Sequence, residues 1–104
     1  MKLIPLIEGA TIEAPEEDYR TAARVEQYRV GTRAFYVPSG LRWKYLPFSA
    51  ILGAEESHHS VTAGKCVAVT ERRPALRLLT REGTLQFPLE KGESLRKLLD
   101  AIRI

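Results

Sequence analysis

Cysteine occurs once in the 104 residues, as do methionine and tryptophan, and histidine occurs only twice. A lone Cys66 excludes the disulfide framework on which small secreted domains commonly depend. Long apolar runs are missing as well. The start, "MKLIPLIEGA", is interrupted by Pro5 and closed by Glu8, too short for a signal peptide's apolar region and far from the ~20 residues that span a bilayer. The expectation is a cytoplasmic protein with no transmembrane segment. Repeats and low-complexity tracts are also lacking, and the hydrophobic (44%) and charged (28%) fractions are those of an ordinary globular domain. The length fits one domain, since a second independent core would be too small to stand alone.

The scarce reactive side chains gather in one window, "EESHHSVTAGKC", residues 55 to 66. His58 and His59 are adjacent, and on a strand they face opposite ways, so they do not share a metal; their spacing to Cys66 matches no paired-ligand zinc pattern. A Cys–His nucleophilic pair would need "SVTAG" to be a loop returning Cys66 beside a histidine, together with an oxyanion hole that nothing in the sequence supplies. The preferred reading is a hairpin, with "TAG" as its turn and Cys66 as a small half-buried hydrophobe. No catalytic residue, metal or cofactor is expected.

Charge is distributed unevenly. Residues 1 to 26 carry a net −3 and residues 27 to 104 a net +6, which favours anionic partners or, more simply, solvates the body. "TERRP" places Arg72 and Arg73 before Pro74 in an expected hairpin tip. The acidic run Glu16, Glu17, Asp18 reads as a solvated helix start or loop.

Between Arg24 and Leu89, short runs rich in Val, Tyr, Phe, Trp, Leu and Thr are punctuated by "VGT", "PSG", "LPFS", "TAG", "ERRP" and "REGT". This spacing predicts a meander of antiparallel strands near 24–30, 33–37, 41–46, 51–58, 65–71, 75–80 and 84–89. In "LRWKYLP", Leu41, Trp43 and Tyr45 are expected to face inward, with Arg42 and Lys44 outward. If Trp43 and Tyr45 were exposed instead, stacking on bases would become the leading idea. "TLQFPLE" alternates likewise: Leu85, Phe87 and Leu89 share one face, and Pro88 marks an edge or the strand's end. In "REG", Gly83 can take the positive φ of a tight hairpin.

Toward the end the period changes. Leu95, Leu98, Leu99 and Ile102 draw one apolar stripe on a helix over about 91–103, with Glu93 and Arg103 complementing its dipole. This helix needs an apolar surface and is expected to close a barrel or sandwich. The organisation is therefore an acidic lead-in or short helix over 1–23, with Pro15 in its first turn, followed by a β domain over 24–104.

About seven short antiparallel strands followed by a single amphipathic helix resembles the pleckstrin-homology-like (PH-like, GRAM-like) barrel, in particular its small bacterial members. The nearest local likeness is "GTRAFYVPSGLRWKYLPFSAI". The resemblance implies a non-catalytic adaptor that binds a protein partner or self-associates, and alternatively a binder of anionic lipid headgroups or nucleic acid. In lipid-binding members, basic residues flank the loop between the first two strands. The matching region here is "YRVGTRAF", which with the next strand makes Arg29, Arg33, Arg42 and Lys44 the candidate ligand-binding set.

Overall fold

Alternating apolar side chains make strands here, and their two faces go to two different cores. The computed structural model describes residues 3–63 and 69–102. In chain order these form β1 (Leu3–Pro5), α1 (Pro15–Arg20), β2 (Ala23–Val25), β3 (Tyr28–Val30), β4 (Ala34–Ser39), β5 (Arg42–Pro47), a 3-10 turn (Phe48–Ala50), β6 (Gly53–Ala63), β7 (Val69–Thr80), β8 (Gly83–Pro88) and α2 (Gly92–Ile102). One sheet has the order β1-β5-β4-β3-β2 and the other β6-β7-β8. The chain is mainly β, with two sheets and one C-terminal helix. The sheets do not close into a barrel, and the described strands number eight rather than about seven.

The first core lies between the sheets. Val30, Phe35, Val37 and Leu46 of the larger sheet meet Leu76 and Leu78 of β7, Leu85 and Phe87 of β8, and Leu95, Leu98, Leu99 and Ile102 of α2. Both predicted apolar sets, that of "TLQFPLE" and that of the helix, point here. Each fully buried Leu contributes roughly 1.5–3 kcal/mol. Phe87 stands edge-on to Phe35 and Tyr28, with centroids 5.2 and 5.9 Å apart, and joins the sheets through aromatic contacts. Tyr28 adds a hydrogen bond from its hydroxyl to the Pro88 carbonyl at 2.8 Å; burial pushes that hydroxyl up to about 12.

A second core covers the opposite face of the larger sheet, where Ala34, Tyr36 and Tyr45 pack with Leu3, Tyr19 and the partly buried Trp43. Trp43 and Tyr45 thus face inward as expected. Leu41 does not: Ser39 pairs with Arg42, so Gly40 and Leu41 are the two-residue turn, Gly40 has φ +63, and Leu41 is fully exposed.

Asp18 anchors the lead-in. α1 is the short helix with Pro15 in its first turn, and it buries Asp18 and Tyr19. The Asp18 carboxylate accepts from Thr32 N at 3.0 Å, Thr32 Oγ1 at 2.9 Å, Arg33 N at 3.3 Å and Tyr36 Oη at 2.7 Å. Burial by itself would raise this carboxyl, but the bonds from Tyr36, Thr32 and Arg33 outweigh it and hold the group below its ordinary value of 3.8. A Cβ on Gly31 would fall inside that carboxylate, so glycine there makes room for Asp18. The lead-in is therefore part of the domain, and β1 pairs in parallel with β5.

Two further expectations need correction. The strand expected over 24–30 is a hairpin: Arg24 pairs with Arg29, and Glu26–Gln27 is the turn, with Glu26 at φ +55. Left-handed backbone costs a non-glycine residue roughly 1–2 kcal/mol. Here the Glu26 carboxylate accepts from the N–H groups of Glu90 and Lys91, at 2.8 and 3.1 Å, just before α2. Burial opposes its ionisation, but hydrogen bonds from Ser94, Glu90 and Lys91 hold it below its ordinary value of 4.5.

The tip expected at "ERRP" is mid-strand instead, because β7 is one strand of 12 residues in which His58 pairs with Pro74 and His59 with Arg73. Proline survives there for a specific reason. The Pro74 carbonyl accepts from Leu89 N at 2.9 Å, so the N–H it lacks would have pointed to the Leu89 carbonyl, away from β6. His59 Nε2 lies 3.2 Å from that carbonyl and donates to it in place of the missing backbone group.

Candidate functional site

The four candidate cations do not form one patch. Arg29 is opposite Tyr36, and Tyr36 opposite Tyr45, so Arg29 lies on the face covered by α1. Lys44 is opposite Val37 and Arg42 opposite Ser39, which puts both on the other face. Arg33 sits in the turn after β3 and donates to the Ala14 carbonyl at 3.3 Å. Strand alternation therefore separates Arg42 and Lys44 from Arg29.

The reactive window divides as well. His58 is exposed and His59 half-buried, on opposite faces of β6, and His59 is engaged by Leu89 as described. Cys66 and the end of the "TAG" turn lie outside the described residues. Among the described residues no three of His, Cys, Asp and Glu gather as metal ligands. Arg73 forms an ion pair with Glu90 across the root of the hairpin, so "ERRP" is built into the structure rather than held out at a tip.

Two features stand out as sites. The first is a stretch of backbone. A sheet edge presents unpaired N–H and C=O groups unless it is short, interrupted or covered. β1 and β2 have three residues each, and β1 ends in Pro5. β8 ends in Pro88, whose carbonyl is taken by Tyr28 and Gln27. β6 has eleven residues, contains no proline, lysine or arginine, and among the described residues has β7 as its only strand partner. Because the Pro74 polar groups turn toward β8, those of His58 opposite turn away from β7, and Glu56 and Ser60 share that parity. Of these, the His58 carbonyl accepts from Gln86 Nε2 at 3.2 Å.

The second feature is a hollow of about 240 Å³ lined by Glu16, Tyr19, Arg20 and Arg29 beside α1. The Arg29 guanidinium lies 4.6 Å from the Tyr19 ring centroid and 5.8 Å from that of Trp43. Sequence reasoning singled out Arg29 but missed Tyr19 and Arg20, because the acidic run beside them read as solvated. A larger hollow of about 550 Å³ at the start of α2 includes Glu26 and Ser94, whose polar groups already satisfy one another. No protein-family model, curated protein or solved structure matches this chain, so geometry alone carries the functional argument. No helix among the described residues is long and apolar enough to cross a membrane.

Proposed function

We propose that the protein is a non-catalytic binding module that accepts a strand of a protein partner along the outer edge of β6. The observation behind this reading is the contrast between edges: three are short, proline-ended or covered, and β6 is long and, among the described residues, has no strand on its outer side, with only its His58 carbonyl engaged, by Gln86, from Glu56 to Ser60. Strand addition draws affinity from main-chain hydrogen bonds and specificity from alternate side chains, here Glu56, His58 and Ser60 on one face and Glu55, Ser57 and His59 on the other. A second copy of the chain can fill the same role, giving a self-associating adaptor. The PH-like relationship belongs to this proposal: two packed sheets and a closing helix support it, while the parallel strand β1 and the open sheets depart from it.

Proline at an outward-facing N–H tests the reading, since it removes an edge donor and leaves the β6–β7 ladder in place. His58→Pro and Ser60→Pro are expected to keep the wild-type circular dichroism and melting temperature. Affinity capture from the native extract, with light scattering on the purified protein, then compares partners and oligomeric state. Loss of the captured partner or of the dimer in both folded variants supports strand addition; retention at wild-type level refutes it.

A further inference from the structure

Arg29 differs from the arginines that are engaged by oxygen atoms of the fold. Arg24 donates to the Glu26 carbonyl, Arg33 to the Ala14 carbonyl, Arg77 to Ser57 Oγ, and Arg73 pairs with Glu90. The half-buried Arg29 guanidinium has no hydrogen-bond acceptor and no carboxylate within 4.0 Å among the described residues. It rests instead on Tyr19 and Trp43. A guanidinium over an aromatic face is held in place without using its N–H groups, which stay free for bidentate contact with an oxyanion. Arg20, in the last turn of α1, lines the same hollow and likewise has no ion-pair partner among the described residues. Arg24 stands opposite Arg29 on the neighbouring strand, but it lines the other hollow, with Glu26, Glu90 and Glu93, and is no part of this one. Arg20 and Arg29, with no carboxylate within 4.0 Å of either among the described residues, leave a local positive field that a bound anion would relieve. Glu16 is the one carboxylate among the residues that line the hollow.

We infer that this hollow is a phosphate-oxyanion site, in which Arg29 supplies the bidentate contact, Arg20 adds a second cation, and Tyr19 and Trp43 hold Arg29 in orientation. The site shares only Arg29 with the basic set expected from the sequence, and it stands independently of the β6 edge. The chemistry fits inorganic phosphate and the phosphate end of a phosphomonoester alike. A hollow of about 240 Å³ matches the liquid volume of roughly eight waters and accommodates a phosphate group with a small organic body beside it.

Trp43 is the only tryptophan in the chain, so its fluorescence and indole N–H resonance report on this site without a label. The intact protein is titrated with inorganic phosphate and, separately, with phenyl phosphate, at about 20 mM and about 150 mM salt to vary the screening. The expected result is a saturable change at Trp43 and at the Arg29 Nε resonance, weaker at the higher salt. Phenyl phosphate binding more tightly than phosphate would identify a monoester whose body rests against the aromatic rim, and equal affinity would identify the free ion. Arg29→Lys keeps the charge but loses the fork, and should weaken binding about tenfold. Arg20→Ala, an exposed change that leaves the core intact, should weaken it several-fold; Glu16→Gln should tighten it, and Arg42→Ala should leave it unchanged. The assignment is overturned if neither probe gives a saturable change, if Arg29→Lys and Arg20→Ala bind as the wild type does, or if Arg42→Ala loses as much affinity as they do.

Discussion

Removing the Asp18 carboxylate should destabilise the protein by an amount that depends on whether residue 31 is glycine. Asp18 is only 5% exposed and accepts from four donors. A hydrogen bond to a charged group contributes about 1.5–3 kcal/mol, but the donors here are not all stranded by its loss. Thr32 is exposed and can bond water, and the Tyr36 hydroxyl can turn to the Pro15 carbonyl, already 3.2 Å away. Asp18→Ala should therefore cost about 2–3 kcal/mol rather than the full sum. Asp18→Asn keeps an acceptor toward Thr32 and can donate to Tyr36, losing chiefly the Arg33 N–H bond, for about 1 kcal/mol. Gly31→Ala should cost about as much as Asp18→Ala, because the new Cβ occupies the carboxylate's position and expels it. In the Asp18→Ala background that space is empty and the same change should cost under about 1 kcal/mol, a coupling of roughly 1.5–2 kcal/mol. Urea unfolding followed by Trp43 fluorescence measures all four corners of the cycle, since Trp43 packs 5.2 Å from Tyr19 in the same core. Additive effects would refute the account of Gly31. The pH dependence has a definite sign: with its folded pKa lowered, Asp18 stabilises fully above its ordinary value of 3.8 and loses this as pH falls through the lower folded value. The wild type should lose more stability on acidification than Asp18→Asn.

Other consequences follow from single contacts. Glu26→Gln should cost about 1 kcal/mol and speed amide exchange at Glu90 and Lys91; unchanged exchange would mean the carboxylate does not hold the start of α2. Its lowered folded pKa places that contribution above pH 4.5, to be lost as pH falls through the folded value. Leu98→Ala, at a fully buried position facing both sheets, should cost about 2–5 kcal/mol in urea unfolding, and a loss under 1 would argue that α2 is not seated on the core. His59→Ala should cost about 1–2 kcal/mol in the wild type but much less alongside Pro74→Ala, which restores the backbone donor for Leu89. Equal cost in both backgrounds would dismiss the substitution of a side chain for a backbone N–H.

The sequence was most legible where periodicity coincided with burial. Leu95, Leu98, Leu99 and Ile102 marked α2, and Leu85, Phe87 and Leu89 marked β8, because one apolar core faces both elements. Where turn chemistry was conventional, as at Gly83 with φ +124, the hairpin could be placed as well. What failed were features set by distant partners. Glu26 carries no turn signature, yet it takes left-handed backbone because its carboxylate is drawn to Glu90 and Lys91, 64 and 65 residues away. Pro74 read as a strand break, and His59 repairs the ladder from the neighbouring strand. β1 escaped detection because a three-residue parallel strand has no period of its own and depends on Leu3, Ile4 and Pro5 meeting Trp43, Lys44 and Tyr45. For the candidate site, alternation within β5 already put Arg42 and Lys44 together on one face. That Arg29 lies on the opposite face required the register between strands.

These contacts also divide the molecule into a fastened part and an open part. Asp18 ties the lead-in to the turn after β3, Glu26 ties the same region to the start of α2, and Tyr28 reaches the end of β8. Each joins segments that apolar packing alone would leave free to slide, because hydrophobic contact is non-directional and a buried carboxylate is not. The β6–β7 hairpin is fastened through its β7 strand, by the ladder to β8 and by Leu76 and Leu78 in the first core, while the ion pair of Arg73 with Glu90, the bond of His59 to Leu89 and the contacts of Gln86 with Ser57 and His58 add polar ties. On the proposed reading, the outer edge of β6, which has no strand beyond it among the described residues, exchanges water for a partner's backbone without disturbing either core. This predicts a separation that can be measured: proline at His58 or Ser60 should alter association while leaving Trp43 unfolding unchanged, and substitutions at Asp18 or Gly31 should do the reverse. Variants that moved both properties together would mean the hairpin and the cores form one cooperative unit, and that the β6 edge is not independently available.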